Sequence, residues 1–401
     1  MVDDNLSMMA ASLLGVGLSG ALFVLLLIVL IGFLGLFTYW FLVCFWQQSK
    51  HKKGARKEGR TIKVERIDDN PVMSPVADHW WESEAVFNPA AFVDHGRVHL
   101  FYRAMGGDGV SRIGYASSAD GVNFDERSPE PVYDWGPGFT PPSAPKRRYL
   151  PLSYNTDLYA SGGGWGGCED PRAVVIEEHV YMTFGIFESW QSMRLGVTAL
   201  SREDLKSRQW CWIKHVTMSP KNETHKNWVL FPEKFHGKYA ILHALTPTIS
   251  IEYVDDLAHL EKKPIKSNNH RSGRKGSWDA FVRGVAAPPI RTEAGWLLFY
   301  HGMNPSEPGV GYRVGAMLLD LDDPTRVLYR SSEPVLEPKE WYENDWKPGV
   351  VYASGAVVFG DDLILYYGGG DKYIAAAKAN YKEFLHNLMQ GEHATLHAAK
   401  L

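Results

Sequence analysis

Two adjacent acids, a proline and an arginine follow a run of glycines in GGGWGGCEDPRAVVIEEHVYMTFG, Gly162 to Gly185, directly before an apolar strand. A carboxyl group at the head of a buried strand needs a cationic partner or a task, and the task it performs best is proton transfer. Comparable polar residues precede four other apolar stretches: Asn88 before Pro89, Lys226–Asn227, Trp278–Asp279 and Ser354. Polar heads from separate stretches make one site only if the fold brings those stretches to one axis.

The stretches recur as hairpins: AFVDHGRVHLFYRA (91–104), AVVIEEHVYMTFGI (173–186), VLFPEKFHGKYAILHAL (229–245), PIRTEAGWLLFYHG (289–302) and AVVFGDDLILYYGGG (356–370). Each is an apolar strand, a polar or glycine turn, and a second strand rich in aromatics. Most are followed by a further strand pair, as in RIGYASSADGVNF, RLGVTALSREDLKSRQW and YRVGAMLLDLDDPTRVLYR. A period of roughly 60–80 residues with four strands per unit points to propeller blades. The expected fold is therefore all-β, a five-bladed β-propeller over 62–380. TIKVERIDDNPVMSP serves as the closing strand, and 381–401 as a C-terminal helix or tail. A two-sheet sandwich is the alternative. NPVMSPVADHWWE near residue 70 is echoed by EPVLEPKEWYE near residue 333, which favours the repeat. Strand alternation puts Arg172 on the face of Asp170 and turns Glu169 to the other face.

Composition narrows the function. A net charge of −4 gives no reason to expect nucleic acid as a partner. Three cysteines form neither a disulfide framework nor a zinc site. DLDDP (320–324) has the chemistry of a turn, so no metal is expected. With 14 Trp and 19 Tyr the chain suits a strand-rich core, and also a cleft that stacks sugar rings.

The N-terminus reads as a separate object. After a short segment, 1–19, residues 20–46 are apolar and uncharged, longer than the roughly 20 residues that cross a bilayer. A basic linker, 47–61, carries Lys50, Lys52, Lys53, Arg56, Lys57 and Arg60. The expectation is one transmembrane helix with the lipid bilayer as partner, a single-pass membrane protein whose C-terminal domain faces the cytoplasm.

The motifs FNPA (87–90), YRA (102–104), SRIGYASSADGVNF (111–124), CEDPRA (168–173), KNWVLFPEKFHGKYAILH (226–243), GSWDAFVRG (276–284), GWLLFYHG (295–302) and YYGGGDKYIAAA (366–377), taken in order, resemble glycoside hydrolase family 130. That family comprises the mannoside phosphorylases and related mannosidases, which are five-bladed propellers. Glycosyltransferase family 108 is the nearest alternative relative. The resemblance implies an inverting reaction at a β-mannosidic bond, with Asp170 as general acid sending its proton to the bridging oxygen through a sugar hydroxyl. Inorganic phosphate would be the co-substrate, with no cofactor, releasing mannose 1-phosphate. An acid that donates must first be protonated, so a raised pKa is expected at Asp170. Asn88, Arg103 and Asp371 match mannose-holding positions, and Arg172, Asp279 and His301 complete the expected substrate contacts. Asp371 also reads as a plain turn residue. Arg194, Lys226 and His243 are the phosphate-binding residues by position, although Ala244 stands where many relatives carry a basic residue.

Three functions compete. A phosphorylase, or a transferase running the same geometry in synthesis, acts on a β-mannoside oligosaccharide or glycan with an anionic attacking or leaving group. A mannosidase that uses water needs a base, for which Glu233 and Asp279 are the available carboxylates. A non-catalytic sugar-binding propeller is the third. The insertion 125–167, rich in Pro and Gly, reads as a loop or a lid. Its Lys146, Arg147 and Arg148 could face an anionic donor, the membrane or plain solvent.

Overall fold

The computed structural model describes Gly35, Thr38 and residues 62–134, 166–189, 192–268, 271–306 and 311–391. Within residues 60–401 five antiparallel meanders follow one another. Their first strands are Ala85–Asp94, Gly166–Ile176, Val229–Leu230, Phe281–Val285 and Val351–Phe359. In each of the five the next long strand folds back on the first, as the hairpin pattern requires. The third meander is the smallest. Pro232, just after its first strand, has no N–H to continue the ladder.

Five apolar layers hold the meanders together, each shared by two neighbours. Phe101 and Tyr115 meet Met182 and Phe184 between the first and second, and Val174 and Leu195 meet Trp228 and Ile241 between the second and third. Phe231 and Leu242 meet Trp296 and Leu298 between the third and fourth, and Leu297 and Val314 meet Leu365 and Ala377 between the fourth and fifth. Leu100 and Tyr102 then meet Ile364 and Tyr366, so the fifth meander packs on the first. The expected closing segment pairs where it must: Glu65 and Arg66 lie antiparallel to Lys378 and Ala377.

The structure explains the repeated motifs. In RIGYA, RLGVT and RVGAM the glycine stands opposite an aromatic residue of the neighbouring strand: Gly114 by Tyr102, Gly196 by Phe184, Gly315 by Tyr300. The ring lies on the bare Cα, so a Cβ at Gly315 would come within 2.4 Å of Tyr300 Cζ. The HWWE and EWYE echo marks a second device. Glu82 accepts from Tyr102 OH (2.9 Å) and Arg127 (2.7 Å); Asp279 accepts from Tyr300 OH (2.7 Å) and Arg330 (2.6 Å). Glu343 accepts from Tyr367 OH and Arg66, both at 2.8 Å. In each case the arginine comes from the outermost strand of its meander, so the cluster pins the outer edge to the loop that enters the inner strand.

The fold expectation is corrected on two points. All-β architecture holds, but among the described residues the hydrogen-bonded sheets are not five: the first two meanders share one eight-stranded sheet, and no sheet closes on itself. A short parallel contact, Val110 to Gly166 and Ser111 to Gly167, joins them. Only glycine permits it: Gly167 has φ +95°, and a Cβ there would meet Ser111 O at 2.0 Å. The second correction concerns the transmembrane helix, and with it the single-pass, cytoplasm-facing localisation and the bilayer partner. Among the described residues no helix is long and apolar enough to cross a membrane. The two bounded α-helices, Arg202–Ser207 and Tyr381–Met389, have 6 and 9 residues, against roughly 20 for a span. Residues 20–46, apart from Gly35 and Thr38, lie outside the described residues, as does most of the 125–167 insertion. The helix Tyr381–Met389 buries Phe384 and Leu388 in the layer between the fourth and fifth meanders, so it is part of the domain rather than a tail.

Candidate active site

The polar heads converge because the inner strands bulge. Register slips between Phe87 and Ala90 in the first meander and between Glu169 and Arg172 in the second, over Asn88–Pro89 and Asp170–Pro171. Asn88 and Asp170 have φ of 49° and 48°, left-handed values that Asn and Asp tolerate best among residues with a Cβ. The proline that follows cannot donate to the ladder, which opens at that point. Similar slips occur at Val282/Gly284 and Ala353/Gly355, and Asn227 has φ 66° just before the third inner strand. FNPA and EDPR are thus one structural motif, used twice to turn an Asx side chain toward the centre.

Asp170 is held by the first three meanders. Asn88 Nδ2 donates to its Oδ1 at 2.8 Å, Arg103 donates to the same oxygen at 3.2 Å, and Lys226 Nζ lies 3.9 Å from Oδ2. The bulge also overturns strict alternation. Glu169 does not face away: its carboxylate, fully buried, accepts from Arg103 at 3.0 Å and from Lys226 at 3.4 Å. Arg103 and Lys226 therefore each serve both acids. Burial opposes the charge on Arg103, and the carboxylates of Glu169, Asp170 and Asp371 override it.

The expectation of a raised pKa at Asp170 is corrected. Burial pushes it up, but Lys226, Arg103, Arg172 and the Asn88 hydrogen bond together hold it well below the usual carboxylate range. With these cations unscreened, the carboxyl group is ionised.

Arg172 is buried without a carboxylate partner among its described contacts. It donates to Ala286 O (3.0 Å), Asp170 O (2.6 Å), Asn227 Oδ1 (3.2 Å) and Tyr352 OH (3.4 Å), tying four meanders together. Tyr352 OH also donates to Asn227 Oδ1, and its ring stacks on His301 at 4.0 Å. His301 is fully buried; burial first, then the charge of Arg172, push its pKa well below the ordinary value, so it is neutral. Neither Asn227 Nδ2 nor Asn88 Oδ1 has a hydrogen-bond partner among the described residues. Buried polar atoms left open in this way are where sugar hydroxyls gain most on binding. A cleft, partly open to solvent, is lined by Asp170, Arg172, Met193, Lys226, Asn227 and Trp228, among others.

Residues 156–390 match the glycoside hydrolase 130 family, described as beta-1,4-mannooligosaccharide phosphorylase. A 1,2-beta-oligomannan phosphorylase of Thermoanaerobacter sp. (strain X514) is 36% identical over 332 residues, covering 80% of this chain and 99% of the relative. The chain belongs to glycoside hydrolase family 130. A beta-1,2-mannobiose phosphorylase of the same organism is 35% identical over 330 residues, 79% of this chain and 97% of the relative. Among solved structures, the beta-1,2-mannobiose phosphorylase of Listeria innocua in complex with beta-1,2-mannobiose aligns with TM-score 0.59 and 25% identity, over 81% of this chain and 99% of that one.

Not every residue expected from the resemblance to family 130 reaches the cleft. Asp279 is corrected first: its carboxylate is fully buried among Arg274, Arg330 and Tyr300, in the structural cluster of the fourth meander. Glu233 is exposed on a turn and paired with Arg291 at 3.3 Å, so neither proposed base stands opposite Asp170. Arg194 shares a row with Ile186 and Cys168, one step out of phase with Leu195, Gly185 and Glu169. Its Nε donates to Ser219 O. His243 packs by Trp228 and its Nδ1 meets Ser267 Oγ at 2.9 Å. Burial, then His225, push its pKa down to about 4, so near neutral pH it offers a hydrogen bond and no charge. Asp371 sits in a left-handed turn with φ 56°, paired with Lys347 at 3.0 Å and close enough to act on Arg103. It is both the turn residue and a member of the central charge cluster.

Sequence reasoning missed Glu169 and Tyr352. The bulge hides Glu169 from an alternation argument, and nothing in VVYASGA marks Tyr352 as more than core. Asn227 was visible only as a polar neighbour of Lys226.

Proposed function

We propose that this family 130 enzyme cleaves β-1,2-mannosidic bonds by phosphorolysis, with Asp170 as the proton donor and inorganic phosphate as co-substrate. The observation that carries the reading is the composition of the cleft. Its lining includes one carboxylate, Asp170, beside the cations Arg172 and Lys226. A water-using inverting enzyme needs a second carboxylate as base, with the pair about 6.5–9.5 Å apart. Phosphate arrives already anionic and needs cations instead. The two relatives at 35% and 36% identity, both phosphorylases acting on β-1,2-mannosides, support the linkage.

In this reading a phosphate oxygen attacks the anomeric carbon as the C–O bond to the leaving sugar breaks. The bond pair stays on the bridging oxygen, which receives the proton of Asp170. Attack from the opposite face inverts the centre and gives α-mannose 1-phosphate. Asn88, Arg103, Asn227 and His301 bind and orient the sugar. The reverse reaction, from mannose 1-phosphate to a longer mannoside, uses the same groups.

The test incubates the full chain with β-1,2-mannobiose, with and without phosphate, and follows the products by ¹H and ³¹P NMR. Phosphate-dependent α-mannose 1-phosphate is expected. Free mannose formed equally well without phosphate would refute the reading.

A further inference from the structure

The acid of the reaction poses a problem that the phosphorolytic reading leaves open. Asp170 has to carry a proton, yet Asn88, Arg103 and Lys226 all donate to its carboxylate or lie beside it. Lys226 is shared: its Nζ is 3.4 Å from Glu169 Oε2 and 3.9 Å from Asp170 Oδ2. Arg103 is shared in the same way, at 3.0 Å from Glu169 and 3.2 Å from Asp170. Lys226 also lines the cleft that an anion would enter.

We propose that Glu169 is a positioning residue which, through Lys226 and Arg103, couples occupancy of the phosphate site to protonation of Asp170. The idea rests on the phosphorolytic reading and adds the means by which the acid is loaded. Glu169 is fully buried and keeps both cations in place whether or not Asp170 is charged. An anion arriving at Lys226 brings negative charge beside Asp170 and offsets the cations that keep it ionised. Asp170 then takes a proton from solvent, gives it to the bridging oxygen during bond cleavage, and returns to the carboxylate when phosphate has left as the sugar phosphate.

The groups that face Asp170 favour this sequence. Asn88 and Arg103 approach from the first meander, Arg172 and Glu169 from its own strand, and Lys226 from the third meander. His301 of the fourth, Tyr352 of the fifth and, through Arg103, Asp371 complete the surroundings. His301 and Tyr352 are neutral, so once Lys226 and Arg103 are offset the only other cation on that list is Arg172, which donates to the backbone oxygen of Asp170 rather than to its carboxylate. A doubly charged anion about 5 Å from a carboxylate, at an effective dielectric of about 20, shifts its pKa by several units.

Sulfate is the probe, because unlike phosphate it does not itself titrate near neutral pH. Calorimetric titration of the full chain with sulfate, in two buffers of different ionisation enthalpy at pH 5.5, measures the protons taken up per anion bound. A substantial fraction of one proton is expected for the wild type, and none for Asp170→Asn, which still binds sulfate. Binding without proton uptake, or uptake that survives in Asp170→Asn, would overturn the coupling while leaving the phosphate site intact. A failure of both sulfate and phosphate to bind would overturn the phosphorolytic reading and the coupling with it.

Glu169→Gln supplies a second readout. Removing this charge leaves both cations to Asp170 and the anion. Sulfate should bind roughly tenfold more tightly, while kcat falls and the pH optimum moves to acid. A merely structural role for Glu169 would weaken binding and turnover together, and that outcome would also overturn the proposal.

Discussion

Asp279→Asn separates a structural acid from a catalytic one. The carboxylate of Asp279 has no exposure and accepts from Arg274 Nε at 2.8 and 3.1 Å, Arg330 at 2.6 Å and Tyr300 OH at 2.7 Å. Burial favours its neutral form, but the Arg274 hydrogen bond and the Arg330 charge outweigh that and lower its pKa. Asparagine keeps the shape and removes the charge, leaving the buried Arg330 guanidinium uncompensated. Breaking a buried ion pair from one side costs about 3–5 kcal/mol. Unfolding entropy is about 2.1 cal/mol/K per residue, so in a unit of roughly 340 residues the melting temperature should fall by about 4–7 °C. Differential scanning calorimetry measures the fall, and initial rates taken well below the transition measure turnover, which should stay within about threefold of wild type. The lowered pKa sets the pH dependence. The stabilisation is complete above the unfolded value of about 4 and is lost as pH falls through the folded value. The gap between wild type and variant should therefore close in acid. Glu82→Gln and Glu343→Gln, in the matching clusters of the first and fifth meanders, should produce falls of similar size. An unchanged melting temperature with turnover down a hundredfold would refute the argument and return Asp279 to the active site.

Asp170→Asn should lower kcat by roughly 10²- to 10⁴-fold while phosphate binding persists, because the variant lacks the proton donor; a variant of wild-type speed would remove Asp170 from the chemistry. Glu233→Gln should leave kcat and KM within twofold, since the side chain is exposed and paired only with Arg291 among its described contacts; product analysis in the absence of phosphate would expose any role as a base. Gly315→Ala drives a methyl group into Tyr300 and should destabilise the domain by about 1–3 kcal/mol. Gly114→Ala, against Tyr102, should do the same, and equilibrium denaturation reads both.

The sequence alone determined the order of the elements and the heads of the inner strands. Hairpin periodicity is local: an apolar alternation broken by a polar turn reports its own strands, so the five hairpins and the closing segment at Glu65–Arg66 were legible without coordinates. Asn88, Asp170 and Lys226 were legible because each interrupts an apolar run. What tertiary structure decided is which of the polar heads meet. Asp279 heads its strand just as Asp170 does, yet Arg330 of the outermost strand claims it, and no local pattern distinguishes the two. The register slip over Asp170–Pro171 turned Glu169 inward against the rule of alternation. Lys226 and Arg103, brought from separate stretches of chain, and Arg172 of its own strand then lowered a pKa that burial alone would have raised. Electrostatics at a site sums over neighbours close in space. The chain names those neighbours only once it has folded.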